Sequence, residues 1–237
     1  MSAYQKSQMR NRLLSLIPEQ EFQIVAAALA PIELGKGFVI VKPDEPIDYV
    51  YFPFTGIGSV VTVSPEGHKA EAGMFGREGF SPTPAGVGGT ISIHEVLMQV
   101  EGDGLRIKRE DLSHCLSACP VFSNLLARYI QAFGSQISFT ALSNAVHSID
   151  ERLARWLLMC HDRVDGNEIA LTHEFISLML AVRRPSVTTA LHVLEGLKLI
   201  RAERGRITIR DRQALEAFAG DAYGKPEEEY SRLIGNP

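Results

Sequence analysis

The sequence predicts an α+β fold: a jelly roll of short strands, then a long helix, then a compact helical domain that ends in a β-hairpin. Two changes along the chain predict this order. Short β-type runs separated by Gly- and Pro-rich turns occupy residues 32–107, with no helical pattern between them. After Pro120 the apolar residues recur with a helical period instead. The 237 residues suffice for one large domain or two modest ones.

The predicted jelly roll rests on apolar runs that recur at intervals of roughly ten residues. Turn segments separate them, as in Ser64-Pro65-Glu66-Gly67, where Pro presets φ and Gly supplies positive φ. Such spacing is typical of a double-stranded β-helix (jelly roll) or a sandwich. We expect the Gly- and Pro-rich residues 81–90 to lie over the barrel. The runs are 38–41, 49–52, 59–63, 95–100 and 105–107.

Composition and cysteine usage exclude several classes of protein. Apolar residues make up 45% of the chain and charged residues 22%, as in a soluble globular protein. The amino terminus lacks the apolar core of a signal peptide, so we expect a cytoplasmic protein. Three cysteines are too few for a disulfide framework. The uncharged residues 129–149 contain many polar side chains, so we predict a soluble helix there and no membrane partner.

A long helix is predicted after Pro120, at residues 120–147, because apolar residues recur every three or four positions. A helix of about 25 residues would extend nearly 40 Å, at about 1.5 Å per residue. Its apolar seam has two interpretations: it packs against the barrel, or it pairs with a second copy as in a coiled coil. We favour dimerisation, because the flanks of the seam are polar. The predicted dimerisation residues are Phe122, Leu126, Tyr129, Phe133 and Ile137.

The carboxy-terminal part carries the pattern of a helix-turn-helix. Ser148 and Glu151 form a capping box that starts a new helix. A short helix capped by Thr172 follows, then a three-residue break and a second amphipathic helix near Pro185. The polar face of this second helix can reach phosphates and base edges in a DNA major groove. The residues predicted for that role are Arg183, Arg184, Ser186, Thr188, Thr189 and His192.

A basic β-hairpin follows the predicted recognition helix. Residues 200–203 and 206–210 alternate apolar and polar side chains about a Gly-bearing turn. Arg204 and Arg206 lie near its tip, where they can neutralise DNA backbone phosphates as a wing. Residues 183–212 hold eight Lys and Arg against three acidic residues, although the whole chain has a net charge of −4. The sequence therefore predicts double-stranded DNA as a partner.

Three of these segments resemble the winged-helix output domain of the cyclic-AMP receptor and fumarate-nitrate reductase (Crp/Fnr) regulators. They are Leu171-Thr172-His173-Glu174, Arg184-Pro185-Ser186-Val187 and Leu197-Lys198-Leu199-Ile200. The resemblance implies a β-roll sensor domain at 1–119, a dimerisation helix at 120–147, a winged helix-turn-helix at 148–220 and a tail at 221–237. It also implies a homodimer on a pseudo-palindromic operator, RNA polymerase as a partner, and Arg184 as the arginine that contacts a phosphate or guanine.

The sequence departs from the family in its sensor. Relatives that bind cyclic nucleotides hold the phosphate with an arginine, but no Lys or Arg occurs from Phe80 to Ile93. We therefore expect no binding of cyclic AMP. Gly76, Arg77 and Glu78, which resemble a segment of one divergent subgroup, are the candidate pocket for an unknown small-molecule effector. No cysteine precedes Cys115, which excludes the iron–sulfur sensor of other relatives. Thr189 stands where many relatives place a second arginine, so the target sequence should differ.

No motif supports catalysis, and we predict no enzyme activity, no cofactor and no metal site. His114, Cys115 and Cys119 could form a sparse metal or redox sensor, but buried structural cysteines are the commoner case. One alternative function stays open at this point. The barrel could host a ligand-binding or enzymatic site while the helical carboxy-terminal region serves assembly.

Overall fold

The computed structural model describes residues 4–235. Two short helices, α1 (Arg12–Leu16) and α2 (Glu19–Ala28), precede the first strand. Their apolar side chains, among them Leu13, Leu14 and Phe22, are buried in the core of the barrel. No sequence pattern predicts these helices, because runs this short carry too little period to be recognised.

The amino-terminal half is an antiparallel barrel, so the predicted α+β fold with an amino-terminal jelly roll is confirmed. Its strands are β1 (Ala30–Leu34), β2 (Val39–Val41), β3 (Glu45–Pro46), β4 (Tyr49–Pro53), β5 (Ile57–Val63), β6 (Lys69–Phe75), β7 (Ile91–Ser92), β8 (Glu95–Val100) and β9 (Gly102–Lys108). The main sheets have the strand orders β1-β9-β4 and β2-β8-β5-β6, and β3 pairs with β7.

Strand β9 begins where the sequence suggested a turn. Gly102 and Gly104 lie within the strand, and they allow a close approach of two backbones. A Cβ added at Gly102 would lie 2.2 Å from the carbonyl oxygen of Thr55, and one at Gly104 would lie 2.5 Å from that of Phe52. These glycines therefore serve strand packing rather than chain reversal.

Helix α3 (Arg109–Ala118) leads into the long helix α4 (Pro120–Val146), whose 27 residues match the predicted length. The structure corrects the role of its apolar seam. Four of the predicted dimerisation residues, Phe122, Leu126, Tyr129 and Phe133, are buried in the core of the same chain, and Ile137 packs against that core. The seam therefore attaches α4 to its own barrel, and a second copy would have to use another face.

The carboxy-terminal domain contains a helix-turn-helix with a wing. Its elements are α5 (Ile149–His161), β10 (Glu168–Ile169), α6 (His173–Met179), α7 (Arg184–Gly196), β11 (Ile200–Glu203), β12 (Arg206–Ile209) and α8 (Arg212–Ala219). A final helix, α9 (Lys225–Ile234), packs against α4. The sequence predicts only a tail at residues 221–237, yet Ile234 at the end of α9 joins the core of the barrel.

The two halves of the chain share a hydrophobic core. Ile57 and Val61 of β5 and Met74 of β6 are fully buried among apolar residues of the carboxy-terminal domain. This outer face of the barrel thus packs on the helix-turn-helix domain instead of facing water. Among residues 4–235, no helix is both long enough and apolar enough to cross a bilayer.

Candidate nucleic-acid interface

The turn between α6 and α7 sets the orientation of the predicted recognition helix. The Thr172 hydroxyl accepts a hydrogen bond from the Phe175 amide, which caps α6. At the turn Ala181 adopts φ 51°, a left-handed conformation that reverses the chain tightly. The Val182 amide donates to the Ser177 carbonyl at 3.0 Å and so closes the turn. Helix α7 then starts at Arg184.

The apolar face of α7 fixes which residues point outward. Val187, Ala190, Leu191 and Leu194 are buried in the domain core. The predicted DNA-contacting residues lie on the opposite side, and Arg184, Thr188 and His192 follow one another one turn apart. In the structure Arg183, Arg184, Thr189 and His192 are exposed, whereas Ser186 and Thr188 are half-buried.

The two threonine hydroxyl groups of α7 donate hydrogen bonds to carbonyl groups of the same helix. Thr188 Oγ1 donates to the Arg184 carbonyl at 3.2 Å, and Thr189 Oγ1 donates to the Pro185 carbonyl at 3.1 Å. Each hydroxyl oxygen keeps lone pairs for a further donor. Cytosine and adenine present amino donors in the major groove, so these threonines can accept from a base edge without losing their internal bonds.

Arg184 is held by a carboxylate of the preceding helix. Its Nη2 atom lies 2.5 Å from Glu174 Oε1, and both side chains are mostly exposed. An exposed ion pair of this kind contributes only about 0–1 kcal/mol, so a phosphate or guanine can displace it. Arg183 forms no ion pair with any residue that the structure describes. The start of α7 therefore presents one unpaired arginine and one that is oriented by an acid.

The wing is a three-stranded sheet with the order β10-β12-β11. Gly205 makes its tip with φ 77°, and the neighbouring Arg204 is exposed. Arg206 bridges two carboxylates, at 3.2 Å from Glu168 and 2.8 Å from Glu203. A hydrogen bond from Arg206 and the charge of Arg201 hold the pKa of Glu203 below its usual value. Arg206 is therefore partly neutralised, and Arg204 is the wing arginine that is better placed to meet a phosphate.

The wing is tied to the recognition helix. Glu195, near the end of α7, accepts a 2.8 Å hydrogen bond from the amide of Ala202 on β11. Because this bond joins the two elements directly, Arg184 and Arg204 are carried on one rigid unit. The structure thus brings together the helix and hairpin residues that the sequence singled out.

The barrel also approaches this surface, which no sequence pattern predicts. A cleft of about 570 Å³ lies between the β5–β6 turn and the start of α7. His68 and Lys69 line its barrel side, and Arg183 and Arg184 line its other side. Lys69 is held by Glu95 at 2.5 Å. A long-range approach of this kind depends on tertiary packing, and no local pattern reveals it.

The candidate effector residues occupy the joint between the domains rather than the barrel interior. Arg77 binds Asp165 at 2.5 Å, and Glu78 binds Arg163 at 2.8 Å, so both side chains reach the carboxy-terminal domain. Gly76 is buried, and its amide donates to Glu78 at 3.2 Å. Arg77 is therefore engaged by a carboxylate and is not free to hold a phosphate inside the barrel.

Aromatic rings fill the space between the barrel and α4. Phe52 stacks on Phe80 with ring centres 5.8 Å apart, and Phe80 meets Tyr129 at 5.3 Å. Gly79 is required here, because an added Cβ would lie 2.0 Å from the Tyr129 hydroxyl oxygen. Apart from the Tyr129 hydroxyl, which lies near Glu78, the cluster is apolar, and this makes it an unfavourable environment for a phosphate.

The cysteines that the sequence raised as a sensor are buried. Burial raises the pKa of Cys115 to about 11 and also raises the pKa of Cys119. Both thiols therefore stay protonated at neutral pH and are poor nucleophiles. Within residues 4–235, no group of three His, Cys, Asp or Glu side chains is placed to hold a metal ion.

Comparisons with known proteins agree with this geometry. Residues 151–218 match the family model of the Crp-like helix-turn-helix domain. The structure of FixK2 from Bradyrhizobium japonicum is similar, with 19% identity, 81% of this chain and 98% of that chain covered, and a TM-score of 0.67. No curated protein matches the sequence.

Two further solved structures have a similar fold. A transcriptional regulator of the Crp/Fnr family from Eubacterium rectale shares 18% identity over 89% of this chain and 98% of its own, with a TM-score of 0.62. The c-di-GMP-responsive regulator CLP of Xanthomonas campestris shares 13% identity over 81% of this chain and 99% of its own, with a TM-score of 0.63. At these identities the likeness establishes the fold.

Proposed function

Because this chain has the fold of the Crp/Fnr regulators and carries a Crp-like helix-turn-helix domain at residues 151–218, we propose that it is a sequence-specific, DNA-binding transcription regulator. One observation carries the proposal: Arg183 and Arg184 at the start of an exposed helix and Arg204 on the attached wing form a single basic surface. A helix start with such side chains suits the major groove, and the wing suits the adjacent phosphates.

Within this surface the residues have different roles. Arg184, oriented by Glu174, is proposed to read a guanine or hold a phosphate, and Thr188, Thr189 and His192 to contact base edges. Ser186 lies at the rim, where it can reach a backbone phosphate. Arg183, Arg204 and Arg206 are proposed to bind phosphates, which contributes affinity without base preference.

The active form is proposed to be a homodimer that uses the exposed face of α4. Exposed residues recur there at alternating spacings of four and three positions from Ala127 to Ala145, and all of them except Gln131 are small. This period keeps one narrow stripe facing a second helix, and small side chains let two helices approach closely. The stripe consists of Ala127, Gln131, Gly134, Ser138, Ala141 and Ala145.

The remaining assignments follow from this proposal. Residues 1–119 serve as the sensor domain, 120–147 as the dimerisation helix and 148–220 as the DNA-binding domain. A homodimer of this type would act in the cytoplasm on a pseudo-palindromic operator, with half-sites about 10 bp apart, and would meet RNA polymerase there. Its effector is proposed to differ from cyclic AMP, because aromatic rings fill the space beside Phe80.

Selection of bound duplexes from random or genomic DNA tests the proposal. The purified full-length chain should enrich one pseudo-palindromic sequence whose half-sites are separated by about one helical turn. A variant in which both Arg183 and Arg184 are replaced by Ala should enrich no sequence. Should the unmodified chain enrich no motif, or should the double variant enrich the same one, the proposed function is wrong.

A further inference from the structure

A cleft lies where the barrel, α4, the carboxy-terminal domain and α9 meet, away from the predicted DNA surface. Its volume is about 280 Å³, near the lower end of the range for small-molecule sites, which runs from about 300 Å³ upward. Tyr129 and Phe133 of α4 form one wall, and Tyr230 of α9 forms another. Arg163, which follows α5, and Glu78 of the barrel lie at the polar end.

The polar end contains a buried carboxylate with one unused oxygen. Glu78 Oε1 accepts hydrogen bonds from Arg163 Nε at 2.8 Å and from the Gly76 amide at 3.2 Å. Its other oxygen, Oε2, is buried and has no hydrogen-bond partner within the described part of the chain. A buried acceptor without a donor is unfavourable, because it has lost its hydrogen bonds to water. A ligand that brings a donor to this oxygen would recover that loss.

A second carboxylate lines the same cleft. Glu227 Oε2 accepts a hydrogen bond from the Gly224 amide at 3.0 Å. Burial raises the pKa of Glu227, which reflects the cost of holding a negative charge there. The free oxygen of Glu78 and the carboxylate of Glu227 therefore favour a donor or a positive charge in the cleft.

The charged donors of the cleft are already engaged. Arg163 binds Glu78 and also donates to the Met159 carbonyl at 2.6 Å. Arg212 binds Asp162 at 2.7 Å, and the Tyr223 hydroxyl donates to the other oxygen of Asp162 at 2.8 Å. Within the described residues the buried Tyr129 hydroxyl has no partner, so it offers a neutral hydrogen bond to a ligand of either charge. An anionic ligand would have to displace one of the arginine pairs to gain a charged partner. A cationic ligand would not.

From this arrangement we propose that the cleft binds a small amine with an aromatic or otherwise apolar body. The ammonium group would donate to Glu78 Oε2 and lie near Glu227, while the apolar body would pack between Tyr129, Phe133 and Tyr230. Aromatic faces add a further attraction for a cation in a desolvated site. The site differs from the barrel interior, where Phe52 and Phe80 occupy the space.

Occupation of the cleft would connect the domains. Its lining comes from the barrel, from α4, from the carboxy-terminal domain and from α9, so a bound amine would stabilise this one arrangement of the parts. The effect on operator binding rests on the proposed function. Binding of the amine does not depend on the proposed function, because it is measured without DNA. Failure of the amine proposal and failure of the proposed function can therefore be distinguished.

Calorimetric titration of the full-length protein with matched probes tests the proposal. Phenethylamine and 3-phenylpropionate have similar shapes and opposite charges, and cyclic AMP serves as an anionic comparison. The amine should bind saturably and at least about tenfold more tightly than the carboxylate. This ratio of affinities is what one half-buried charge interaction is expected to produce. Absence of saturable amine binding, or equal binding of the two probes, would overturn the proposal.

Two variants of the cleft and one control variant test where the amine binds. Glu78→Gln keeps the shape of the side chain and removes its charge, so it should weaken amine binding about tenfold. Because loss of a partner for buried Arg163 can destabilise the fold, a second variant, Ser231→Phe, fills the cleft without changing any charge. Glu66→Gln, at the exposed β5–β6 turn, is the control. If both cleft variants bind phenethylamine as the control does, the amine binds elsewhere and the assignment is wrong.

Discussion

Trp156 of the carboxy-terminal domain donates a 2.8 Å hydrogen bond from its indole nitrogen to Glu71 on strand β6 of the barrel. Ser59 and Gln99 donate to the other oxygen of the same carboxylate, the latter at 2.7 Å. All four side chains are buried. The joint between the two domains therefore contains a polar network inside an otherwise apolar contact, in which Glu71 is held by three donors and Gln99 Oε1 has no partner among the described residues.

Trp156→Phe should destabilise the protein by about 1–3 kcal/mol, because it leaves Glu71 Oε1 buried without a donor and also removes part of an apolar side chain. Urea denaturation followed by circular dichroism measures the change. Fluorescence is unsuitable, since Trp156 is the chain's one tryptophan. An unchanged free energy of unfolding would show that this bond does not contribute to the joint.

Glu71 also predicts a dependence of stability on pH. Burial raises its pKa above the ordinary value of 4.5. The folded state then binds the proton more tightly than the unfolded state does, so this group lowers the free energy of unfolding as pH rises from about 4.5 through the folded pKa. Glu71→Gln lacks this titration. Its stability relative to the unmodified chain should therefore increase between about pH 4 and about pH 8, and a difference that stays constant over this range would contradict the assignment.

The dimer is tested at the exposed stripe of α4. Ser138→Glu would place like charges close together across a two-fold axis, so sedimentation should show monomers that remain folded. Asn144→Glu, which is exposed outside the stripe, should remain dimeric. Phe133→Glu is no test of assembly, because it would place a charge in the barrel core. A monomeric unmodified chain, or a dimeric Ser138→Glu variant, would contradict the proposed interface.

Ala181→Gly should stabilise the protein. Ala181 has φ 51° in the turn of the helix-turn-helix, a conformation that costs a residue with a side chain about 1–2 kcal/mol and that glycine adopts freely. The greater entropy of the unfolded glycine chain offsets part of this gain, so we expect a net increase of about 0.5–1 kcal/mol. Ala217→Gly, on the exposed face of α8, is the matched control and should have the opposite sign. A loss of stability in both variants would show that the turn is not strained.

Local patterns in the sequence explain why parts of this fold are predictable. The spacing of apolar runs predicts the barrel strands, and the caps and short helix spacing predict the helix-turn-helix. Strand β6 is not predictable in this way. Its sequence is poor in β-branched residues, and it contains Glu71, whose burial depends on Trp156 from a distant helix. Burial of a charged residue follows from its partners, which sequence order does not reveal.

The seam of α4 shows a second limit. Its period correctly indicates that Phe122 and Phe133 lie on a buried face, but an amphipathic pattern does not say what covers that face. The barrel of the same chain covers it. The contact of α9 with α4 and the Glu78–Arg163 pair are likewise products of tertiary packing between segments far apart in sequence.

Binding isotherms on the selected duplex and its single-base variants, at two salt concentrations, test the central proposal most directly. Arg184→Ala should cost about 1–3 kcal/mol and relax preference at one base pair if Arg184 reads a guanine. If it holds only a phosphate, the ranking of the variants should stay the same. Arg204→Ala should weaken all sequences alike and lower the salt slope by about one. Undiminished duplex binding by both variants would contradict DNA recognition by this helix and wing.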